Sequence, residues 1–383
     1  METLKLAVVG GGFAGLYAAY RLSETHEVTL YEEDDIVGRP KHCTGLVSRW
    51  TMEKIGPPAL NSLENSFNKI TFIAESSRVE FERDSIAVKL DRIGLEQRLL
   101  NEAKKNGVTV RMPYRVSSVT PKGEVLSFNG TKHQFDAVIV ADGLAGMVSS
   151  SLGINKYNYR RILGVNIDVK LNHGMNTDEF KIIFSDIFKG FFGWIVPTSP
   201  DKLIVGGGSI GLVRIQDIIS GINIHGEIRD RYGGIILTGP PARKPYRGLA
   251  FVIGDAAGLT KPFTGGGLYP SVKVVDCFSS KSLDYWQRCL DGIVRELRSQ
   301  LHIARIFQED LSPGSIADLF DVAKKHGISE ILSHKLDYDR HEELVSLAFS
   351  RKVETLKAGV EYLFKHPVSG LSLLRRMLFV LVT

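Results

Sequence analysis

The N-terminal part of the chain alternates short apolar runs with a segment of helical periodicity. Residues 4–9 form a continuous apolar run, a glycine-rich turn follows, and residues 16–22 carry apolar side chains at helical spacing. A second apolar run, Val28–Tyr31, ends on Glu32 and Glu33. This order predicts a strand, a turn, a helix and a second strand, which together form a parallel βαβ unit.

The rest of the chain divides by its periodicity. Apolar residues three and four apart predict a helix over 95–106, which Gly107 ends before a strand at 108–110. Runs at 136–141 and 249–253 predict two more buried strands, whereas alternation between 155 and 208 predicts a separate sheet. Beyond residue 273 the pattern is mainly helical, with long segments at 282–307 and 341–364.

These elements predict an α/β protein with a Rossmann-like domain, a second antiparallel-sheet domain and a C-terminal helical region. The first domain is discontinuous, because buried parallel-type strands return after the alternating segment. We assign residues 1–65, 88–155 and 246–295 to it. Residues 66–87 and 156–245 form the β-rich substrate domain, and residues 296–383 form the helical region.

The amino-acid composition limits the class of protein that this chain can be. The chain has 383 residues with 48 basic and 43 acidic side chains, a net charge of +5, and 43% hydrophobic residues, which excludes a disordered polyelectrolyte and a membrane channel. The sequence has no dense stripe of basic residues, so it does not predict nucleic-acid binding. Without a secretory signal before the first strand or an apolar run of about 18 residues, we expect a cytoplasmic protein.

The cysteines are few. The three, Cys43, Cys277 and Cys289, lack metal-ligand spacing, and their odd number argues against a disulfide framework and for a reducing compartment. We therefore expect no metal site. Cys277 and Cys289 are interpreted as core or surface residues of helices.

The glycine turn has the spacing of a dinucleotide site. Gly10, Gly12 and Gly15 let the backbone approach a pyrophosphate, and the following helix directs its free N–H groups at the phosphates. An acidic residue after the second strand accepts the ribose hydroxyls. Glu32 is preferred to Glu33 because it follows the last strand residue directly.

Three later segments favour FAD over NAD. Asp142–Gly143, Gly254–Asp255 and Gly265–Gly267 each follow a predicted buried strand or begin a helix. Asp255 can hold ribityl hydroxyls, and the helix Leu268–Phe278 directs its N terminus at the flavin edge that becomes negative on reduction. Together with the glycine turn, these positions give nine predicted cofactor residues: Gly10, Gly12, Gly15, Asp142, Gly143, Gly254, Asp255, Gly266 and Gly267.

A wider set of segments carries a family resemblance. These segments are Val9–Gly15, Pro40–Gly45, Asp91–Glu96, Phe192–Pro197, and Gly254–Gly258 with Pro262 and Gly265–Gly267. They resemble the geranylgeranyl reductase family, within the FAD flavoproteins that include para-hydroxybenzoate hydroxylase, over nearly the first 280 residues. Val196 replaces the Phe that is usual in the reductase pattern.

The resemblance implies further site residues. It implies FAD contacts from Ala14, Glu32, Arg92, Val116, Asp255, Gly267 and Leu268, and it implies that Cys43 and Thr44 lie beside the isoalloxazine. Trp194 and Pro197 would line the substrate cavity or act as core anchors of the sheet. Cys43 is the candidate catalytic acid, with a small buried hydrophobe as its alternative role.

The predicted activity is FAD-dependent reduction of carbon–carbon double bonds in isoprenoid chains of a membrane lipid or prenyl precursor, with hydride from reduced flavin N5. Two alternatives stay open, a flavin monooxygenase or halogenase acting on a hydrophobic substrate, and a non-catalytic flavin-containing lipid-binding protein. The external electron donor is NAD(P)H, ferredoxin or a deazaflavin. Residues 371–382 either lie on a membrane surface or pack against the body.

Overall fold

The computed structural model describes residues 3–154, 159–172, 174–212, 214–222, 224, 226–278, 282–333, 337–340 and 352–382. Its first sheet has six strands in the order β16-β17-β10-β1-β2-β6. They are β1 (Lys5–Val9), β2 (Glu27–Tyr31), β6 (Thr109–Arg111), β10 (Ala137–Val140), β16 (Tyr246–Arg247) and β17 (Ala250–Val252). All neighbouring pairs are parallel except β16 and β17.

The parallel strands end at one edge of this sheet. Val9 of β1 pairs with Tyr31 of β2 on one side and with Val140 of β10 on the other. The inner strands β1, β10 and β17 are almost fully buried, as expected for a parallel sheet covered on both faces. The turns that follow β1, β2 and β10 therefore lie next to one another, which is where ligands bind in open α/β sheets.

The second sheet has eight strands in the order β15-β11-β14-β13-β12-β4-β5-β3. They are β3 (Leu46–Val47), β4 (Leu63–Ala74), β5 (Ser77–Leu90), β11 (Arg161–Lys170), β12 (Glu179–Phe184), β13 (Gly193–Ser199), β14 (Lys202–Ser209) and β15 (Glu227–Leu237). Only β4 and β12 pair in parallel. A small third sheet contains β7 (Val116–Val119), β8 (Glu124–Ser127) and β9 (Lys132–Gln134).

Helices cover the sheets. They are α1 (Phe13–Leu22), α2 (Arg49–Ile55), α3 (Pro57–Leu60), α4 (Arg92–Lys105), α5 (Met147–Ser151), α6 (Ile215–Ile222), α7 (Leu268–Phe278), α8 (Leu283–Arg305), α9 (Pro313–Lys325), α10 (Ile328–Ser333), α11 (Lys352–Lys365) and α12 (Pro367–Val382). Two 3-10 turns, Asp186–Phe188 and Gly254–Ala257, and a π-helical segment, Ile306–Asp310, complete the set.

The predicted fold class is confirmed. The βαβ unit, the buried strands near 136–141 and 249–253, and the separate, mainly antiparallel sheet are all present. The predicted helix 282–307 continues into the π-helical segment. Of the predicted helix 341–364, residues 341–351 lie outside the described residues, and α11 covers the remainder. The division into three domains stays a prediction.

Cys277 and Cys289 lie in helices, as interpreted, but the argument against a disulfide was wrong for this pair. Cys277 at the end of α7 and Cys289 in α8 form a disulfide, with their Cα atoms 6.1 Å apart. Packing of α7 against α8 brings the two side chains together, and the sequence alone does not reveal this packing. Cys43 remains a free thiol.

Candidate functional site

The glycine turn combines two crowded glycines with an open one. A Cβ at Gly15 would lie 1.9 Å from the Gly10 carbonyl oxygen, and one at Gly10 would lie 2.3 Å from the Ala141 oxygen. Gly10 also has a φ of +107°, a region that L-residues rarely adopt. A Cβ at Gly12 would meet no atom within 4 Å, so the N terminus of α1 faces open space.

Glu32 is the acidic residue that faces this turn. Its carboxylate accepts hydrogen bonds from the Gly11 N–H and, at 2.7 Å, from the Asp34 N–H. Burial raises its pKa, although these backbone hydrogen bonds oppose the shift. Glu33 points elsewhere, to an exposed ion pair with Arg115 at 3.1 Å. The geometry therefore favours Glu32 over Glu33 as the side chain beside the turn.

Distant segments meet next to the turn. A Cβ at Gly254 would lie 3.0 Å from the Ala14 Cβ, and one at Gly267 would lie 3.4 Å from Asp255 Oδ1. Asp142 Oδ2 accepts from a backbone N–H of α5, whereas its Oδ1 is buried and accepts no hydrogen bond from the described residues. The fold thus brings together predicted cofactor residues from the start, middle and end of the dinucleotide-binding sheet.

Arg92 connects this region to the Cys43 loop. It lies buried at the start of α4, forms an ion pair with Glu96, and its guanidinium carbon is 5.6 Å from the Phe13 ring centroid. Burial lowers its pKa, but Glu96 and the Cys43 thiol outweigh burial, so the net pKa is raised. The Arg92 Cγ atom also limits Gly45, where a Cβ would approach it to 3.2 Å.

Cys43 lies among polar groups that the sequence did not predict. Its sulfur accepts a 3.4 Å hydrogen bond from the Gly45 N–H. Burial raises the pKa of Tyr232, with further contributions from Asp168 and from Cys43. Burial likewise raises the pKa of Tyr338, again with Cys43 contributing. Tyr232, Tyr338 and Arg92 therefore all interact electrostatically with Cys43.

A buried ion pair anchors the segment that carries Tyr338. Lys261 and Asp339 are 2% and 1% exposed and lie 2.5 Å apart, and the Lys261 ammonium is 4.3 Å from the Tyr338 ring centroid. Asp339 also accepts from the Ser48 N–H at 2.8 Å and from the Thr51 hydroxyl. Burial raises the pKa of Asp339, but Lys261 reverses the shift, so the net pKa is lowered.

An apolar cavity of about 290 Å³ opens between the large sheet and the C-terminal helices. Its walls come from β4, β5, β12, α8, the π-helical segment, α9, α10, α11 and α12, and Phe263 and Thr264 also line it. Tyr338, whose pKa is influenced by Cys43, is a further lining residue. The lining is dominated by Phe and aliphatic side chains, including Phe72, Phe81, Phe180, Phe184, Phe192 and Phe320.

The remaining predicted residues occupy varied positions. Thr44 is half-buried beside Cys43, and Val116 and Leu268 are buried, each 7% exposed. Trp194 donates from Nε1 to Asn166 at 2.9 Å and packs against Phe192, and Pro197 is buried on the same strand. Neither Trp194 nor Pro197 is among the residues that line the apolar cavity. Their substrate role stays a prediction.

The fold and the glycine turn define a protein with a Rossmann-like dinucleotide-binding domain. Residues 8–49 match the family of NAD(P)-binding Rossmann-like domains. A geranylgeranyl bacteriochlorophyll reductase-like protein from Thermoplasma acidophilum superposes with a TM-score of 0.75 at 19% identity, over 94% of this chain and 100% of that one. The flavin-dependent brominase Bmp2 superposes with a TM-score of 0.68 at 13% identity, over 93% and 100%.

Two sequence relatives are digeranylgeranylglycerophospholipid reductases. The chain is 24% identical to the digeranylgeranylglycerophospholipid reductase of Methanococcus vannielii, over 70% of this chain and 73% of the relative. It is 22% identical to digeranylgeranylglycerophospholipid reductase 3 of Methanosphaera stadtmanae, over 91% of each. The predicted resemblance to geranylgeranyl reductases is confirmed by these similarities.

Proposed function

We propose that this protein is an FAD-dependent reductase that hydrogenates carbon–carbon double bonds of isoprenoid chains. The observation that carries the proposal is the apolar cavity, whose lining includes Tyr338 as well as Phe263 and Thr264, which come directly before Gly265–Gly267 in the chain. A cavity lined by phenyl rings and aliphatic groups accepts a hydrocarbon chain and offers little to a sugar or nucleotide. The named reductase relatives support the same substrate class.

The dinucleotide site suits FAD in its charges and its open spaces. Gly12 leaves room for a pyrophosphate at the start of α1, and Glu32 stands at the ribose position. Asp255 and the N terminus of α7 lie together, as holding a ribityl chain and a flavin edge requires. Arg92, Val116, Asp142, Gly143, Gly254, Gly266 and Leu268 are proposed as further contacts. FAD, when bound and reduced, supplies the hydride.

The protein's own part in the reaction is to deliver a proton in a dry cavity. A trisubstituted alkene is not electron-poor, so it must gain a proton as it gains the hydride. We assign the proton to Cys43 Sγ, which interacts with the Arg92 side chain. The Phe rings exclude water and can face the positive charge that develops on the chain.

The proposal includes two partners, an electron donor and a membrane that supplies the lipid. An external donor must reduce the flavin, and NAD(P)H, ferredoxin and a deazaflavin remain the alternatives. A lipid substrate would be taken up from a membrane surface. Among the described residues, no helix is both long enough and apolar enough to cross a bilayer, so the proposed contact is peripheral.

The test is a product assay on the flavin-loaded protein. Dithionite replaces the unknown donor, a geranylgeranyl-chained lipid in detergent is the substrate, and mass spectrometry counts the added hydrogen pairs. We expect saturated bonds to appear only with FAD and reductant. Hydroxylated or halogenated product formed with oxygen would favour the monooxygenase or halogenase alternative. Flavin reduction without any product would favour a non-catalytic lipid-binding protein.

A further inference from the structure

The C-terminal helical hairpin, α11 with α12, is attached to the body along one face. The Tyr362 hydroxyl donates to the Ser315 carbonyl at 3.1 Å, and His366 Nε2 lies 2.9 Å from Asp318 Oδ2. Glu361 pairs with Lys325 at 2.9 Å. At the other end, Arg376 Nη2 and Ser372 Oγ both donate to the Asp310 carboxylate. These contacts fix which face of the hairpin points outwards.

The outward face is apolar. Val353, Leu356, Val360 and Phe364 recur three and four residues apart along α11, and the pattern continues into α12. Large exposed side chains on this face have exposed fractions between 45% and 84%: Val353, Leu356, Val360, Phe364, Val368, Leu371 and Leu374. We call this set the outer apolar face. A contiguous apolar surface of this kind marks an interaction site.

The charges beside the outer apolar face are mainly positive. Lys357, Lys365 and Arg375 are exposed on the same two helices, and Lys365 lies 3.8 Å from Asp318 of the body. Glu361 of α11 is held against Lys325 and His326 of the body. An apolar helix face with a cationic border is the arrangement that binds anionic lipid surfaces. Two copies of this face brought together would place like charges next to one another, which disfavours a second copy of this chain as the occupant.

The hairpin also separates the outer apolar face from the cavity. Ala358 and Tyr362 of α11 and Met377 of α12 line the cavity from inside. Gly359 lines the cavity and is also exposed, and a Cβ added there would meet no atom within 4 Å.

We propose that the outer apolar face rests on an anionic lipid bilayer, and that the cavity opens towards that bilayer beside Gly359, so that a lipid chain enters sideways. This inference rests on the proposed function for the identity of the chain that enters. The docking surface and the opening themselves require no chemical step.

The docking surface is tested by binding to vesicles. The flavin-loaded full chain is sedimented with phosphatidylglycerol vesicles and, separately, with phosphatidylcholine vesicles. We expect binding that is stronger to the anionic vesicles, and the double variant Phe364→Asn with Val368→Asn weakens it about tenfold or more. The matched control is Leu212→Asn, because Leu212 is 91% exposed but lies far along the chain from the hairpin, and it leaves binding unchanged.

Two results would overturn the docking surface. In one, the double variant binds vesicles as tightly as the wild type. In the other, the wild type ignores vesicles and is a dimer that the double variant converts to a monomer, which makes this face an interface between two copies. Flavin absorbance and circular dichroism of each variant exclude misfolding.

The opening is tested by uptake of a pyrene-labelled alkyl lipid from vesicles, read by fluorescence without any turnover. Gly359→Trp fills the opening, so uptake falls about tenfold while flavin content and vesicle binding persist. The control is Gly292→Trp in α8, another helical glycine with space for a Cβ, whose nearest atom is Arg295 Nη2 at 3.9 Å. Equal uptake by Gly359→Trp and wild type refutes the opening. Because uptake needs no chemistry, failure of the proposed reductase activity appears separately, in the product assay.

Discussion

The glycine turn and the C-terminal hairpin stabilise the same molecule by different means. In the turn, backbone meets backbone, and the missing Cβ atoms of Gly10 and Gly15 allow that approach. In the hairpin, side chains hold the helices, through pairs such as His366 with Asp318 and Arg376 with Asp310. The turn is rigid because its glycines lack Cβ atoms and the backbone packs closely. The hairpin is attached to the body by side-chain contacts.

The difference has a functional meaning. A cofactor site must keep one shape, and close-packed backbone resists deformation. A surface that binds a lipid bilayer needs helices that stay attached to the protein body while their outer side chains contact the lipid. Partly exposed ion pairs contribute little each, so the hairpin depends on several of them together. The Lys261–Asp339 pair lies between the two regions and differs from both in being fully buried.

Removing one member of that buried pair should produce the largest effect. Asp339→Ala leaves Lys261 as an unpaired buried cation, and we expect a loss of about 3–5 kcal/mol in the free energy of unfolding. The double variant Lys261→Met with Asp339→Leu removes both charges and should recover most of it. Urea denaturation of the three proteins measures the difference. A single variant as stable as the double variant would show that the pair does not act as a unit.

The next prediction concerns the glycine turn. Gly15→Ala places a Cβ 1.9 Å from the Gly10 oxygen, so we expect a loss of about 2–3 kcal/mol in stability and a weaker hold on FAD. Gly12→Ala, where space is open, should cost less than about 1 kcal/mol. Denaturation of the flavin-free proteins checks both values. Similar losses at the two glycines would contradict a turn governed by backbone contact.

Cys43 lies in the loop between β2 and β3. Cys43→Ala removes the proposed acid and should slow alkene reduction by about 100-fold, whereas FAD binding is retained. Single-turnover reduction of the substrate and flavin titration measure these separately. Thr44→Val is the neighbouring control and should change the rate much less. Unchanged reduction in Cys43→Ala would remove the thiol from the mechanism.

The smallest effect concerns the pH dependence of the hairpin. Hydrogen bonds from Lys325 and His326 lower the pKa of Glu361 from 4.5. A carboxylate with a lowered pKa in the folded state contributes stability above pH 4.5, and this is lost as the pH falls through the folded-state pKa. Glu361→Gln should therefore lower the melting temperature by about 1 °C near neutral pH and by nothing near about pH 3. A constant difference across that range would contradict the pairing.

The parts that the sequence predicted are those specified by local pattern. The βαβ unit and the glycine turn follow from residues close together in the chain, and the helix Leu268–Phe278 has the predicted bounds. Choosing Glu32 over Glu33 required only its place after the strand. Each of these features depends on backbone geometry that a few neighbouring residues determine.

The parts that the sequence did not reveal depend on contacts between distant residues. Asp339 reaches Lys261 and Ser48, 78 and 291 positions away, and no periodicity marks such a pair. The same holds for Tyr338 beside Cys43 and for the Cys277–Cys289 disulfide. The segment Asp337–Arg340 has polar and aromatic residues after a helix. This pattern marks the segment as unusual but does not identify the residue that pairs with Asp339.

The π-helical segment Ile306–Asp310 has a consequence for how the two ends of the lipid path communicate. Ile306 and Phe307 face the cavity, and Asp310, one turn later, holds Ser372 and Arg376 of α12. In the proposed reductase, a bound chain that displaces Phe307 would act on the same five-residue segment that holds α12.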